Sequence, residues 1–279
     1  MHAVFTIVQD DPVHLALWAG HYGRFYAPEH TYVLHHPSVG EPWDAAWVTE
    51  IRDSRAPAGG APAFHLMPVL REESFNHAWL RGTVEAFQRF LLQSYATVLF
   101  TEIDEMVMTD PARFSGTLTD YCDELTRSPG AAARCTGYEV FHDPEAEPAI
   151  DWTRPVLRQR SVWYPAWRFD KTLLSTAPLA WHDGFHRVAP SAEPLNRLEP
   201  DPRLLLLHLH KADWPTALER HRRSAAKRWS KEDAAAGTGA HNRIVGEEAL
   251  REWWFRKQTD HPEGRADLEP ISEHVKDLV

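Results

Sequence analysis

Apolar and polar positions come in blocks along this chain. The first block, Ala3-Val4-Phe5-Thr6-Ile7-Val8, is a short β-branched and aromatic run that ends in Gln9-Asp10-Asp11-Pro12, which predicts a buried strand and a polar exit. Asp11 followed by Pro12 is the pattern of a helix start, and Leu15, Trp18 and Tyr22 then recur on one helical face. Thr31-Tyr32-Val33-Leu34 predicts a second strand that leaves through His35-His36-Pro37-Ser38. A Pro/Gly/Ala loop over residues 56–62 precedes a third strand at Ala63–Pro68. Between Ser74 and Gln93, Leu80, Val84, Phe87 and Leu91 fall at i, i+4, i+7 and i+11, the stripe of an amphipathic helix. The apolar strand Ala96–Phe100 then runs straight into Thr101-Glu102-Ile103-Asp104-Glu105.

Strand–helix alternation of this kind predicts an α/β fold, a mostly parallel sheet with helices on both faces. Ligands of such sheets gather outside the carboxyl ends of the strands, so the exits at Asp10, His35 and Glu102 are expected on one rim. The second half is less regular, with Pro, Trp and Arg dense between Trp152 and Trp181. Leu204–Leu207 predicts a last buried strand, ending in His208-Leu209-His210. One helix is expected over Thr216–Ala236, stopped at Gly237, a second over Gly246–Lys257, and a loosely held polar tail from Pro262. The domain reading is an α/β unit at 1–223 and a helical extension with its polar tail at 224–279.

Composition narrows the function classes. With 43% hydrophobic residues, 12 Trp, 7 Tyr and 12 Phe among 279 residues, the chain can bury a large core. No run approaches the 18 or so apolar residues of a membrane span, and the N-terminus lacks the basic-then-apolar pattern of a secretory leader. Two cysteines, Cys122 and Cys135, fit a reduced, cytoplasmic setting. The net charge of −10, from 30 basic and 40 acidic side chains, argues against a nucleic-acid partner. The 17 histidines stand outside that count, and each is a possible metal ligand or proton carrier.

Four constellations could carry chemistry. If the strand continues beyond Phe100, Glu102 and Asp104 project to the same side. Two carboxylates there repel each other unless a cation such as Mg²⁺ or Mn²⁺ sits between them; the alternative is a pair of solvated acids. His208 and His210 likewise emerge on one face if their strand continues, as ligands, or as one core and one rim histidine. Trp181-His182-Asp183-Gly184-Phe185-His186 offers acid, base and a flexible glycine, or is simply a polar turn. Arg154, Arg158, Arg160, Arg168 and Lys171, interleaved with Trp163, Tyr164 and Trp167, could meet phosphate or form a solvated face.

The order of these features resembles the family 2-like glycosyltransferases of GT-A (Rossmann-like) fold. Phe5-Thr6-Ile7-Val8-Gln9-Asp10-Asp11 looks like their first strand and exit, and Val98–Glu105 like their DxD segment. Lys171–His186 looks like their acceptor side, and Leu206–His210 like their late metal-binding histidine. The resemblance spans about residues 3–223, which assigns the 1–223 unit as a GT-A-like glycosyltransferase domain, and implies a nucleotide-diphosphate sugar donor, an acceptor hydroxyl on a glycan or small molecule, and a divalent metal, Mn²⁺ or Mg²⁺. It implies Asp104 as principal metal carboxylate, Glu102 as the first acid of the motif, and His208 or His210 as a further ligand. Donor contacts would come from Val8, Asp10, His35, His36, Glu102, Lys171, Gly184 and His186, and Asp183 would be the general base. The chain departs from the family at Glu102, where Asp is usual, at His35-His36, where Asp residues are usual, and at Asp10, which replaces Asn or Glu. Two other readings are a zinc hydrolase built on His208, His210 and Asp213, and a non-catalytic nucleotide-sugar-binding protein.

Overall fold

The computed structural model describes residues 1–38, 41–56, 62–69, 74–128, 130–189, 195, 197–255 and 268–279; of Asp183 only the backbone is described. The first half is built as the alternation predicts, with one further helix, over Ala46–Ser54, that the sequence reading does not announce. Strand β1 (His2–Val8) leads into helix α1 (Pro12–Tyr22), β2 (Thr31–His35), α2 (Ala46–Ser54), β3 (His65–Pro68), α3 (His77–Leu91) and β4 (Thr97–Phe100). Every residue of β4 is buried, which is why it reads as an unbroken apolar run. Asp11 caps α1 by accepting from the His14 backbone N–H at 3.2 Å, and Asn76 caps α3 by accepting from that of Trp79 at 2.9 Å.

There follow β5 (Glu105–Thr109), α4 (Leu118–Leu125), β6 (Ala132–Phe141), β7 (Val162–Pro165), β8 (Thr172–Ser175), β9 (Asp201–His208), α5 (Trp214–Ala226), α6 (Lys231–Ala236), α7 (Glu247–Phe255) and β10 (Glu269–Pro270). The sheet runs β10-β7-β6-β8-β4-β1-β2-β3. Strands β3, β2, β1 and β4 are parallel, and β8 lies antiparallel between β4 and β6. Five of the six strands from β3 to β6 therefore point the same way. This is an α/β fold with a mixed, mostly parallel central sheet flanked by helices, compatible with a Rossmann-like fold. The long β6 shifts register near residues 133–136 and then pairs with β9 and β7, while β5 pairs with the other edge of β9.

Three expectations change. The helix foreseen over Thr216–Ala236 is two, α5 and α6. The Phe75 backbone N–H donates to Arg228 O at 2.7 Å and the Ser230 N–H to Phe75 O at 2.9 Å, so this link is spent on tertiary pairing. The division at residue 223 falls inside α5, and Trp254 of α7 joins the same core as Trp18 and Phe100. The end of the chain is held rather than loose. β10 pairs with β7, Ile271, Val275 and Val279 are buried, and Arg158 grips Asp277 through two bonds of 2.6 and 2.5 Å. Among the described residues no helix is long and apolar enough to cross a membrane.

Candidate metal centre

The sheet rim brings together three segments distant in sequence: the exit of β4, the end of β9 and the face of α5. Strand β4 stops at Phe100, and the next residues turn, with the Glu105 N–H donating to Glu102 O at 3.1 Å. The Leu209 N–H donates to Asp104 O at 2.9 Å and ties this turn to the β9 exit. Leu209 is buried, and the flanking His208 and His210 project together, their rings 18° from parallel with centroids 5.8 Å apart.

The two imidazoles converge on one oxygen. Asp104 Oδ2 lies 3.7 Å from His208 Nε2 and 3.8 Å from His210 Nδ1, and ligand atoms of all three residues lie within 4.8 Å of one another. Both Asp–His separations are too long for hydrogen bonds. They fall within the ~4.2 Å that two ligands about 2.1 Å from a shared ion can span. Each ring is fixed through its far nitrogen. His208 Nδ1–H donates to both Glu139 oxygens at 3.0 Å, and His210 Nε2 shares a 3.0 Å hydrogen bond with His221 Nε2. Orienting a ligand histidine through its other nitrogen is the usual outer support of metal sites. Phe169 stacks on His208 at 3.9 Å, and Gly137 makes that approach possible: a Cβ there would meet the Phe169 carbonyl carbon at 2.3 Å. The residues fit a divalent cation, and two nitrogens beside one carboxylate suit Mn²⁺ or Zn²⁺ better than the oxygen-seeking Mg²⁺.

Charge in the cluster is finely divided. Burial penalises the Asp104 carboxylate, but Arg220 and the nearby imidazoles hold it well below the usual range. Burial also works against protonation of His208, yet Glu139 and Asp104 outweigh it and push the imidazole up to about 9. His210 goes the other way, kept neutral by burial, Arg220 and His221. Arg220 reaches in from α5, Nη1 donating to Asp104 Oδ2 at 2.7 Å and Nε pairing with Asp11 Oδ2 at 2.9 Å.

A cleft of about 430 Å³ opens beside this cluster. Of the residues expected from sequence, Val8, Asp10, Glu102, Asp104, Gly184, His186, His208 and His210 line it. Asp10 sits at a positive φ of 53° and its carboxylate accepts from Ser38 Oγ. His186 Nδ1–H donates to Arg168 O at 2.8 Å, and burial lowers its imidazole to about 3. Glu102 lines the cleft but turns away from the imidazoles to Lys171 Nζ at 2.5 Å.

Lys171, His35 and His36 are not among the lining residues. Lys171 is fully buried against Glu102, Glu105 and Gly184 O. His35 donates to Trp43 O and meets the edge of Trp47, and His36 is buried with its ring 4.6 Å from Trp79. Asp183 opens a 3-10 turn with Gly184 (φ 73°), but its side chain lies outside the described residues. Asp213 caps α5 and pairs with Arg160 rather than joining the histidines.

Four residues in or around the cluster escape sequence reasoning. Asp11 announces itself only as a helix cap, and Arg220 and His221 sit in a polar helix. Glu139 carried a signal, an acid inside the apolar run Tyr138-Glu139-Val140-Phe141. No protein-family model matches the chain, and no curated protein matches it significantly in sequence.

Proposed function

We propose that the chain is a divalent-metal-dependent glycosyltransferase of GT-A type that moves a sugar from a nucleotide-diphosphate donor to an acceptor hydroxyl. The observation that carries this reading is the convergence of Asp104, His208 and His210 at the carboxyl rim of a mostly parallel sheet, beside a cleft roomy enough for a ligand. When bound, the ion would neutralise charge growing on the departing diphosphate. Arg223 of α5 and Lys227, the residue that follows its end, line the same cleft and would meet the phosphates. Val8, Asp10, Phe75 and Leu80, which line the cleft, would hold the nucleoside, since His35 and His36 are occupied elsewhere. Gly184 and His186 would border the sugar, with Asp183 as the base that takes the acceptor's proton.

The nitrogen-rich donor set supports a second reading, a zinc hydrolase on the same three residues, because catalytic zinc is held by such His and carboxylate groups. Calorimetric titration of the full chain with UDP and GDP, with Mn²⁺, Mg²⁺ or Zn²⁺ present or absent, separates the two. The transferase reading expects nucleotide binding that depends on Mn²⁺. Tight zinc binding without any nucleotide binding would sink it in favour of the hydrolase.

A further inference from the structure

We infer that Arg220 is a tethered counter-cation that competes with the divalent ion for Asp104, so that the metal-free protein closes its own centre. The inference rests on the metal reading of Asp104, His208 and His210 given above. Its ground is the oxygen that Arg220 uses. Asp104 Oδ2 accepts from Arg220 Nη1 at 2.7 Å, and it is the same atom on which His208 Nε2 and His210 Nδ1 converge at 3.7 and 3.8 Å. A guanidinium and a divalent ion cannot both sit on that oxygen without like-charge repulsion. The Arg220 side chain is 19% exposed and that of Asp104 7%, so solvent screens little of this repulsion.

The second anchor makes Arg220 a competitor that can yield without leaving. Arg220 Nε pairs with Asp11 Oδ2 at 2.9 Å, and Asp11 is fixed by α1, its Oδ1 accepting from both the backbone N–H and Nδ1–H of His14 at 3.2 and 2.9 Å. Arg220 can release Asp104 and keep Asp11, which leaves its Nη groups unspent at the cleft wall that Arg223 and Lys227 also line. The same swing opens Asp104 to a cation and turns donors toward an anionic ligand. A guanidinium serving only to hold α5 to the sheet would instead support Asp104, and its removal would weaken the metal.

Free Mn²⁺, followed by its electron paramagnetic resonance signal, gives the dissociation constant for the full-length chain without reference to turnover. Arg220→Met, which keeps the length and loses the charge, is expected to bind Mn²⁺ about tenfold more tightly or better, since an adjacent guanidinium weakens a carboxylate's hold on a competing cation, the proton, by ~1–3 log units. Arg220→Gln is expected to tighten it in the same direction, and serves if the Met variant does not fold. Arg220→Lys, which keeps the charge, should stay within about threefold of the wild type. Binding by the Met or Gln variant alone, with none by the wild type, would also bear the inference out. Equal or weaker Mn²⁺ binding in the neutral variants, with the wild type binding, would overturn it and leave the metal reading standing. No Mn²⁺ binding by any of them would remove the metal reading and this inference together.

Discussion

Glu102 and Asp104 leave the same strand two residues apart and end in opposite kinds of charged cluster. Glu102 joins Glu105 around Lys171, whose ammonium meets Glu102 at 2.5 Å, Glu105 at 2.6 Å and Gly184 O at 3.2 Å. An ammonium has three protons, and three acceptors surround it. Burial works against the Lys171 charge, but the two carboxylates hold it well above its ordinary range. Asp104 faces two imidazoles at separations too long to bond, each oriented from behind by Glu139 or His221. The first cluster pairs its charges among themselves; in the second, Asp104 Oδ2 is bonded by Arg220 while two imidazole nitrogens approach the same oxygen beside the cleft without bonding it. Both clusters are charged, so what marks the second as a site is the approach of two ring nitrogens to one carboxylate oxygen, not the charges themselves.

The comparison breaks most visibly if Asp104 is dispensable. Asp104→Ala is expected to weaken Mn²⁺ binding about 100-fold or more, beyond the ~10–100-fold that changes to supporting groups cost, and to lower transfer on an active donor by about 10³. Its melting temperature should move little, because Arg220 keeps Asp11 as a partner. Titration and a thermal melt on one preparation check both halves. Lys171→Met should do the reverse. It leaves Glu105, fully buried, without its cation, and removing one partner of a buried pair costs about 3–5 kcal/mol of stability. Mn²⁺ affinity of the folded fraction should stay within about threefold. Denaturant unfolding that showed Lys171→Met as stable as the wild type would remove the distinction between the clusters.

This distinction could be read only in part from the sequence. The parallel strands were legible because strands buried on both faces must be apolar runs, as β1, β2, β4 and β9 are. His208 and His210 were legible because β9 ends at His208 and the intervening Leu209 turns into the core. The alternation that would set Glu102 beside Asp104 failed because β4 stops at Phe100 and the chain turns. What draws Glu102 away is Lys171, 69 residues later, and no local pattern encodes that meeting. The same holds for His35 and His36, whose approach to the cleft is taken up by Trp43, Trp47 and Trp79. The docked end of the chain was hidden by its polar average, although Ile271, Val275 and Val279 recur at spacings of four.

The finest test of the comparison is also the smallest in effect. Glu102→Gln removes one negative charge from the motif position that a DxD segment would give to the metal, yet retains an amide oxygen for Lys171 Nζ. If Glu102 belongs to the Lys171 cluster, the change costs about 0.5–1.5 kcal/mol of stability, the difference of one hydrogen bond at a side chain 35% exposed. Mn²⁺ affinity should then shift by less than about threefold, because the acid stands outside the converging trio and its charge is already offset by Lys171. A drop in Mn²⁺ affinity comparable to that of Asp104→Ala would mean that Glu102 leaves Lys171 when the ion enters. The two clusters would then be one centre caught before assembly, and Lys171 would be the cation released by it.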